Sequence, residues 1–114
     1  MRVLVTGSRD WRDFDTIWNR LSELPPSFSI IVHGAATGAD HMCHSAAIAL
    51  GFSPEPHFPD YALYPVNVAP LKRNEKMVDL GADLCLAFPT ASSRGTWHCY
   101  NLAKEAGIPC EIVS

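Results

Sequence analysis

The chain of 114 residues has the length of one ordinary domain, with 47% apolar and 18% charged residues, which describes a globular protein and excludes a disordered one. A net charge of −3 argues against a protein that grips duplex DNA by broad phosphate neutralisation, while leaving room for a local basic patch at Lys72, Arg73 and Lys76.

Apolar runs of strand length alternate with amphipathic stretches. The first strand is expected over residues 2–6. A helix follows over 12–23, with Phe14, Ile17, Trp18 and Leu21 on one face and Pro25-Pro26 to stop it. The second strand is expected over 29–33 and the second helix over 39–50, closed by Gly51. A third strand over 53–58 carries Pro54 and Pro56, which confine it to a sheet edge. Residues 59–70 show no period and hold Tyr61, Tyr64 and several prolines, the mark of a functional or mobile loop. A helix over 71–80 ends at Gly81. The fourth strand is expected over 83–88, the last helix over 96–106 with Gly107 as its stop, and the fifth strand over 109–113.

Strands alternating with helices require right-handed crossovers and a parallel sheet. The expected fold is α/β: one domain over 1–114, a Rossmann-like three-layer sandwich around a five-stranded parallel sheet of order 3-2-1-4-5. Ligands of such sheets sit beyond the carboxyl ends of the strands, where strand order reverses. That point lies between the first and fourth strands.

Three loops after apolar strands look like anion cradles, because a helix N-terminus presents unpaired N–H groups and a partial positive charge. They are Gly7-Ser8-Arg9-Asp10, the segment from Gly34 to Asp40, and Ser92-Ser93-Arg94-Gly95-Thr96. Gly7 and Gly34 suit tight turns or close approach to an anion. Ser8, Ser93 and Thr96 offer hydroxyls, and Thr96 is also expected to cap the last helix. Arg9 and Arg73 suit phosphate, and Asn74 suits a ribose or base edge. Asp40 suits either a helix terminus or a ribose hydroxyl. Asp40 and Glu75 are the acid/base candidates, Glu75 as the only carboxylate beside Arg73 and Asn74. Trp11, Tyr61 and Tyr64 could stack on a base or serve as packing.

The cysteines Cys43, Cys85, Cys99 and Cys110 form no Cys-x-x-Cys pair, so neither a disulfide framework nor a metal site is expected. No cofactor signature is present. No run reaches membrane-spanning length, and no secretory leader is expected, so the setting is taken as cytoplasmic.

The motifs Val5-Thr6-Gly7-Ser8-Arg9-Asp10-Trp11, His33-Gly34-Ala35 with Gly38-Ala39-Asp40, Arg73-Asn74 with Met77, and Ser93-x-Gly95-Thr96, in this order, resemble the YspA-like family of the SLOG superfamily. The resemblance covers almost the whole chain. It implies a Rossmann-like fold and a nucleotide or nucleotide-derived ligand, ADP-ribose-like or a cyclic signal, held by glycine-rich loops as in a sensor or sequestering module. Two relatives within that superfamily suggest alternatives. The Lonely Guy phosphoribohydrolases imply cleavage of an N-glycosidic bond of a nucleotide. Their glutamate three positions after Gly-Thr is replaced here by Cys99. The DNA-processing protein DprA shows a similar second loop, followed here by His44, and implies single-strand nucleic-acid binding, which the acidic balance disfavours. Small members of the superfamily self-associate, and Phe14, Ile17 and Trp18 are the expected contact of a homodimer.

Overall fold

The computed structural model describes residues 1–25 and 29–114. Five parallel strands, β1 (Arg2–Gly7), β2 (Ile30–His33), β3 (Ser53–Pro56), β4 (Leu84–Phe88) and β5 (Cys110–Ile112), form one sheet of order β3-β2-β1-β4-β5. Among the described residues four helices connect them: α1 (Phe14–Ser22), α2 (Ala39–Leu50), α3 (Ala69–Asp79) and α4 (Arg94–Glu105). The expected topology and strand order are those observed.

Alternation along the strands divides the core between the two faces of the sheet. Val3, Val5, Ile31, Leu86 and Phe88 pack with α1 and α2, alongside Trp11 and Cys43. Leu4, Val32 and Cys85 face the other way, with Met77 of α3 and Cys99 of α4. Cys43 and Cys99 are therefore separated by the sheet. β3 is an edge strand, as its prolines required. Ser53 N donates to Ser29 O (3.0 Å) and His57 N to His33 O (2.8 Å). The alternation turns the nitrogens of Pro54 and Pro56 away from β2, where no donor is needed.

Three helix starts differ from those expected. α1 begins at Phe14, not residue 12, because Asp13 is a better cap: its Oδ1 accepts from Thr16 N (3.1 Å) and its Oδ2 from the Thr16 hydroxyl (2.6 Å). α3 begins at Ala69, two residues before the expected start. Pro70 lies in its first turn, where a missing N–H costs nothing. α4 begins at Arg94 with Ser93 as its cap residue, so Thr96 is the third helical residue and not the cap. α2, α3 and α4 stop at left-handed Gly51, Gly81 and Gly107 (φ 83°, 83° and 81°). The expected stop at Pro25-Pro26 is only partly visible: α1 ends at Ser22, before Pro25, and Pro26 lies outside the described residues.

At the carboxyl edge, β1 and β4 run in register to Gly7↔Phe88. A side chain at Gly7 would collide with the Ala39 Cβ, so only glycine lets α2 start this close to β1.

Candidate functional site

Beyond the ends of β1 and β4 opens a cavity of about 300 Å³. It is lined by Gly7, Ser8, Arg9, Asp40, Arg73, Asn74, Ser93, Gly95 and Thr96, together with Thr6, Asp10, Ala36, Pro70, Leu71, Ser92 and Arg94. Residues from four separate stretches of sequence thus meet at the point where strand order reverses. Gly34 lies behind this wall. Its carbonyl accepts from Arg73 Nη1, and a Cβ there would come within 2.7 Å of Arg73 Cζ.

The first and last loops are tied together by hydroxyls. Thr90 donates to Ser8 Oγ (2.7 Å), Thr90 N donates to Ser93 Oγ (2.7 Å), and Asp10 N donates to Ser8 Oγ (3.0 Å). Ser8 and Ser93 are buried, so these bonds shape the cavity floor. The Ser8 carbonyl also receives Ala39 N (3.1 Å), which fixes the start of α2.

At the start of the second loop the N–H groups turn inward, to side chains of this chain. Gly34 N (3.1 Å) and Ala36 N (3.3 Å) both donate to Asp40 Oδ2, and Ala35 N donates to His33 Nδ1 (3.0 Å). All three N–H groups are thereby occupied. Ala35 adopts a left-handed φ of 57°, a conformation unfavourable for a residue with a Cβ and held here by those bonds. Because His33 Nδ1 accepts, its proton resides on Nε2 and is donated to His44 Nδ1 (2.8 Å). Burial pushes the His33 pKa down to about 4, with the neighbouring histidines adding to the effect.

Asp40 sits in the first turn of α2, 5% exposed. Burial raises its pKa to about 6, against the opposing pull of the loop N–H groups and Arg73. Oδ1 is buried without a partner among the described residues, and so is Thr96 Oγ1. Arg73 is largely withdrawn from solvent, which lowers its pKa, and its Nε donates to Asn74 Oδ1 (2.9 Å). Asn74 Nδ2 in turn meets Gly95 O (3.4 Å) and His98 Nδ1 (3.2 Å). Asn74 therefore braces α3 against the start of α4.

Other candidates fall elsewhere. Glu75 does not line the cavity: it pairs with Lys72 (3.4 Å) on the outer side of α3. Trp11 is packing, edge-on to Phe88 at 5.4 Å with its indole N–H donating to Asp13 O (2.8 Å). Tyr61 and Tyr64 also lie outside the cavity lining. Cys99 is fully buried, and burial drives its thiol up to about 12, so it is neutral. The sequence reading passed over Thr90 and His98, whose roles depend on partners 82 and 24 residues away. Arg94, between Ser93 and Gly95, also lines the cavity.

The N-terminus of α4 faces the cavity with no side-chain cap and no acidic residue in its first turn. Among the described residues, the N–H groups of Arg94, Gly95 and Thr96 have no partner. A Cβ at Gly95 would meet nothing within 4 Å. Arg9 and Arg94 add positive charge at the rim.

Comparison with known proteins agrees with this architecture. The chain is 43% identical over 116 aligned residues to the Gene 61 protein of Mycobacterium phage D29, covering 95% of this chain and 92% of that protein. Its fold matches that of DNA processing protein A (DprA) from Streptococcus pneumoniae with a TM-score of 0.82 at 19% identity, over 97% of this chain and 49% of the other. The chain thus spans about half the length of that structure, and the likeness is one of fold. Residues 1–64, more than half of the chain, match the model of the family described as YspA, cpYpsA-related SLOG family. The chain belongs to the YspA, cpYpsA-related SLOG family.

Proposed function

We propose that the protein binds a nucleotide or nucleotide-derived ligand in this cavity without cleaving it, as a sensor or sequestering module. The observation that carries the proposal is the bare N-terminus of α4, whose unpaired N–H groups and positive dipole end face a cavity rimmed by Arg9, Arg73 and Arg94. Such a terminus favours a phosphate. Binding without cleavage is supported by the chemistry of the walls. Cleavage of an N-glycosidic bond needs negative charge beside the developing oxocarbenium ion and a group to activate water. Cys99 is neutral and Glu75 is outside; Asp40 commits one oxygen to two backbone N–H groups, so the carboxylate groups left on the lining are Asp10 and the other Asp40 oxygen. Replacement of Arg73 by alanine is expected to weaken a nucleoside monophosphate by about 1.5–3 kcal/mol, read by titration calorimetry.

One observation favours the glycosidase alternative. Asp40 is a buried carboxyl with a pKa of about 6, suited to proton transfer near neutrality. Chromatography of a nucleotide panel after incubation with excess protein decides the matter. Intact nucleotides support the binding module; steady base release that is lost in Asp40→Asn makes the protein an N-glycosidase. The fold neighbour is named for DNA processing, so a labelled single-stranded oligonucleotide belongs in the same panel.

Self-association through α1 is retained in reduced form. Phe14 and Trp18 remain partly exposed, rings 6.1 Å apart, while Ile17 is withdrawn into the core. A 12.5 kDa species in sedimentation at micromolar concentration would remove it. Four free cysteines suit a reducing compartment, and the cytoplasm is the proposed setting. Among the described residues no helix is long and apolar enough to cross a membrane.

A further inference from the structure

We propose that Asp40 and Thr96 read the hydroxyls of a sugar phosphate, with Asp40 Oδ1 accepting from a sugar hydroxyl and the Thr96 hydroxyl completing the contact. This rests on the phosphate-binding reading of α4. Both residues line the cavity and are at least nine-tenths buried, at 5% and 2% exposure. Their free oxygens have no partner among the described residues. Buried polar atoms are rarely left so, and two lining one cavity mark where a ligand supplies the missing bonds. Asp40 Oδ2 cannot turn to serve the ligand, because it holds Gly34 N and Ala36 N. Oδ1 is the oxygen available.

The position of these groups selects sugar over base. Thr96 lies in the same first turn of α4 whose N–H groups would receive the phosphate. Whatever Thr96 touches is therefore close, along the ligand, to the phosphate. In a nucleotide that is the ribose. Among the described residues no aromatic side chain lines the cavity, so these offer a base no aromatic stacking platform. An acceptor on one wall and a hydroxyl that donates or accepts on the other fit a hydroxyl-bearing ligand.

The test uses the purified chain with three probes: ribose-5-phosphate, methyl phosphate and adenylate (AMP), titrated calorimetrically. Ribose-5-phosphate is expected to bind at least about tenfold more tightly than methyl phosphate, since a site built to bond a hydroxyl discriminates strongly against a ligand lacking it. Asp40→Asn should reduce that preference several-fold, read as the ratio of the two affinities. The amide oxygen can keep the loop N–H groups, and its NH₂ then replaces a carboxylate acceptor by a neutral donor, a weaker partner for a hydroxyl. If Asp40→Asn does not fold, Thr96→Val and the wild-type ratio decide. Equal wild-type affinity for ribose-5-phosphate and methyl phosphate, or a preference undiminished in the variants, overturns the inference. Adenylate binding with no such preference does so while leaving the nucleotide reading intact. Failure of all three probes to bind overturns both.

Discussion

At the scale of single residues, two buried groups titrate in opposition. Asp40 has its pKa raised to about 6, so the native protein holds a proton there that the unfolded chain has lost. Its contribution to stability is complete below the ordinary carboxylate range and disappears as pH rises towards 6. His33 has its pKa lowered to about 4, so the unfolded chain binds a proton that the native one refuses. Its contribution is present above pH 6.5 and is lost as pH falls towards 4. Between roughly pH 4 and 6 the two slopes work against each other. Asp40→Asn removes one of them. Urea melts of that variant should therefore show stability rising with pH across this window more steeply than in the wild type. Parallel profiles for the two proteins would mean that Asp40 does not hold a proton near pH 6. A different change probes the position where related enzymes have a glutamate. Cys99→Glu puts a carboxyl at a site of zero exposure, packed beside Leu4 and Cys85. It should cost about 2–4 kcal/mol at neutral pH, measured by denaturant unfolding, because an unpaired charge is buried or a proton must be taken up.

At the scale of elements, the cavity depends on how α3 seats Arg73 against the Gly34 turn. A side chain at Gly34 would meet the guanidinium, and Gly34 keeps an ordinary φ, so Gly34→Ala should disturb Arg73 rather than the backbone. The two single variants Gly34→Ala and Arg73→Ala should each weaken a phosphate ligand. The double variant should lose no more than Arg73→Ala alone, since the glycine acts through the arginine. Additive losses in calorimetric titrations would show that Gly34 acts on the ligand separately. Much of this geometry was legible in the sequence. The parallel sheet followed from alternation of strands and helices, the order 3-2-1-4-5 was that expected of a Rossmann-like sandwich, and the loops that meet were those carrying Gly7, Arg73 and Gly95. The helix starts were less legible. Pro70 reads as a loop residue although a first turn tolerates it, and the Ser93 hydroxyl serves Thr90 rather than its own helix. The placement of Glu75 could have been read from period alone. Asn74, Met77 and Val78 form the buried stripe of α3, and Glu75 lies off it. The start of the second loop was less legible for another reason. Glycine spacing shows where N–H groups can cluster, but not that Asp40 and His33 already occupy them.

At the scale of the whole molecule, the cavity is walled by both helix layers. Gly7 to Asp10 and Asp40 belong with the side of α1 and α2, and Arg73, Asn74 and Gly95 with the side of α3 and α4. A ligand there bridges the two halves that pack on opposite faces of the sheet. It is lost whenever the chain unfolds globally, so binding must raise the melting temperature by mass action. At a ligand concentration of about 100 Kd the gain is about 2.7 kcal/mol. For a chain of this size that corresponds to a rise on the order of 10 °C. Arg73→Ala should reduce the rise at equal ligand concentration, while the melting temperature without ligand reports any purely structural loss. A nucleotide recovered intact after such a melt series, with the rise following its concentration, is what a binding module gives. A rise that decays with incubation time as free base accumulates would instead identify turnover, because the stabilising ligand would be consumed. The same samples thus separate binding from cleavage, and the shift in Arg73→Ala tells whether either takes place in this cavity.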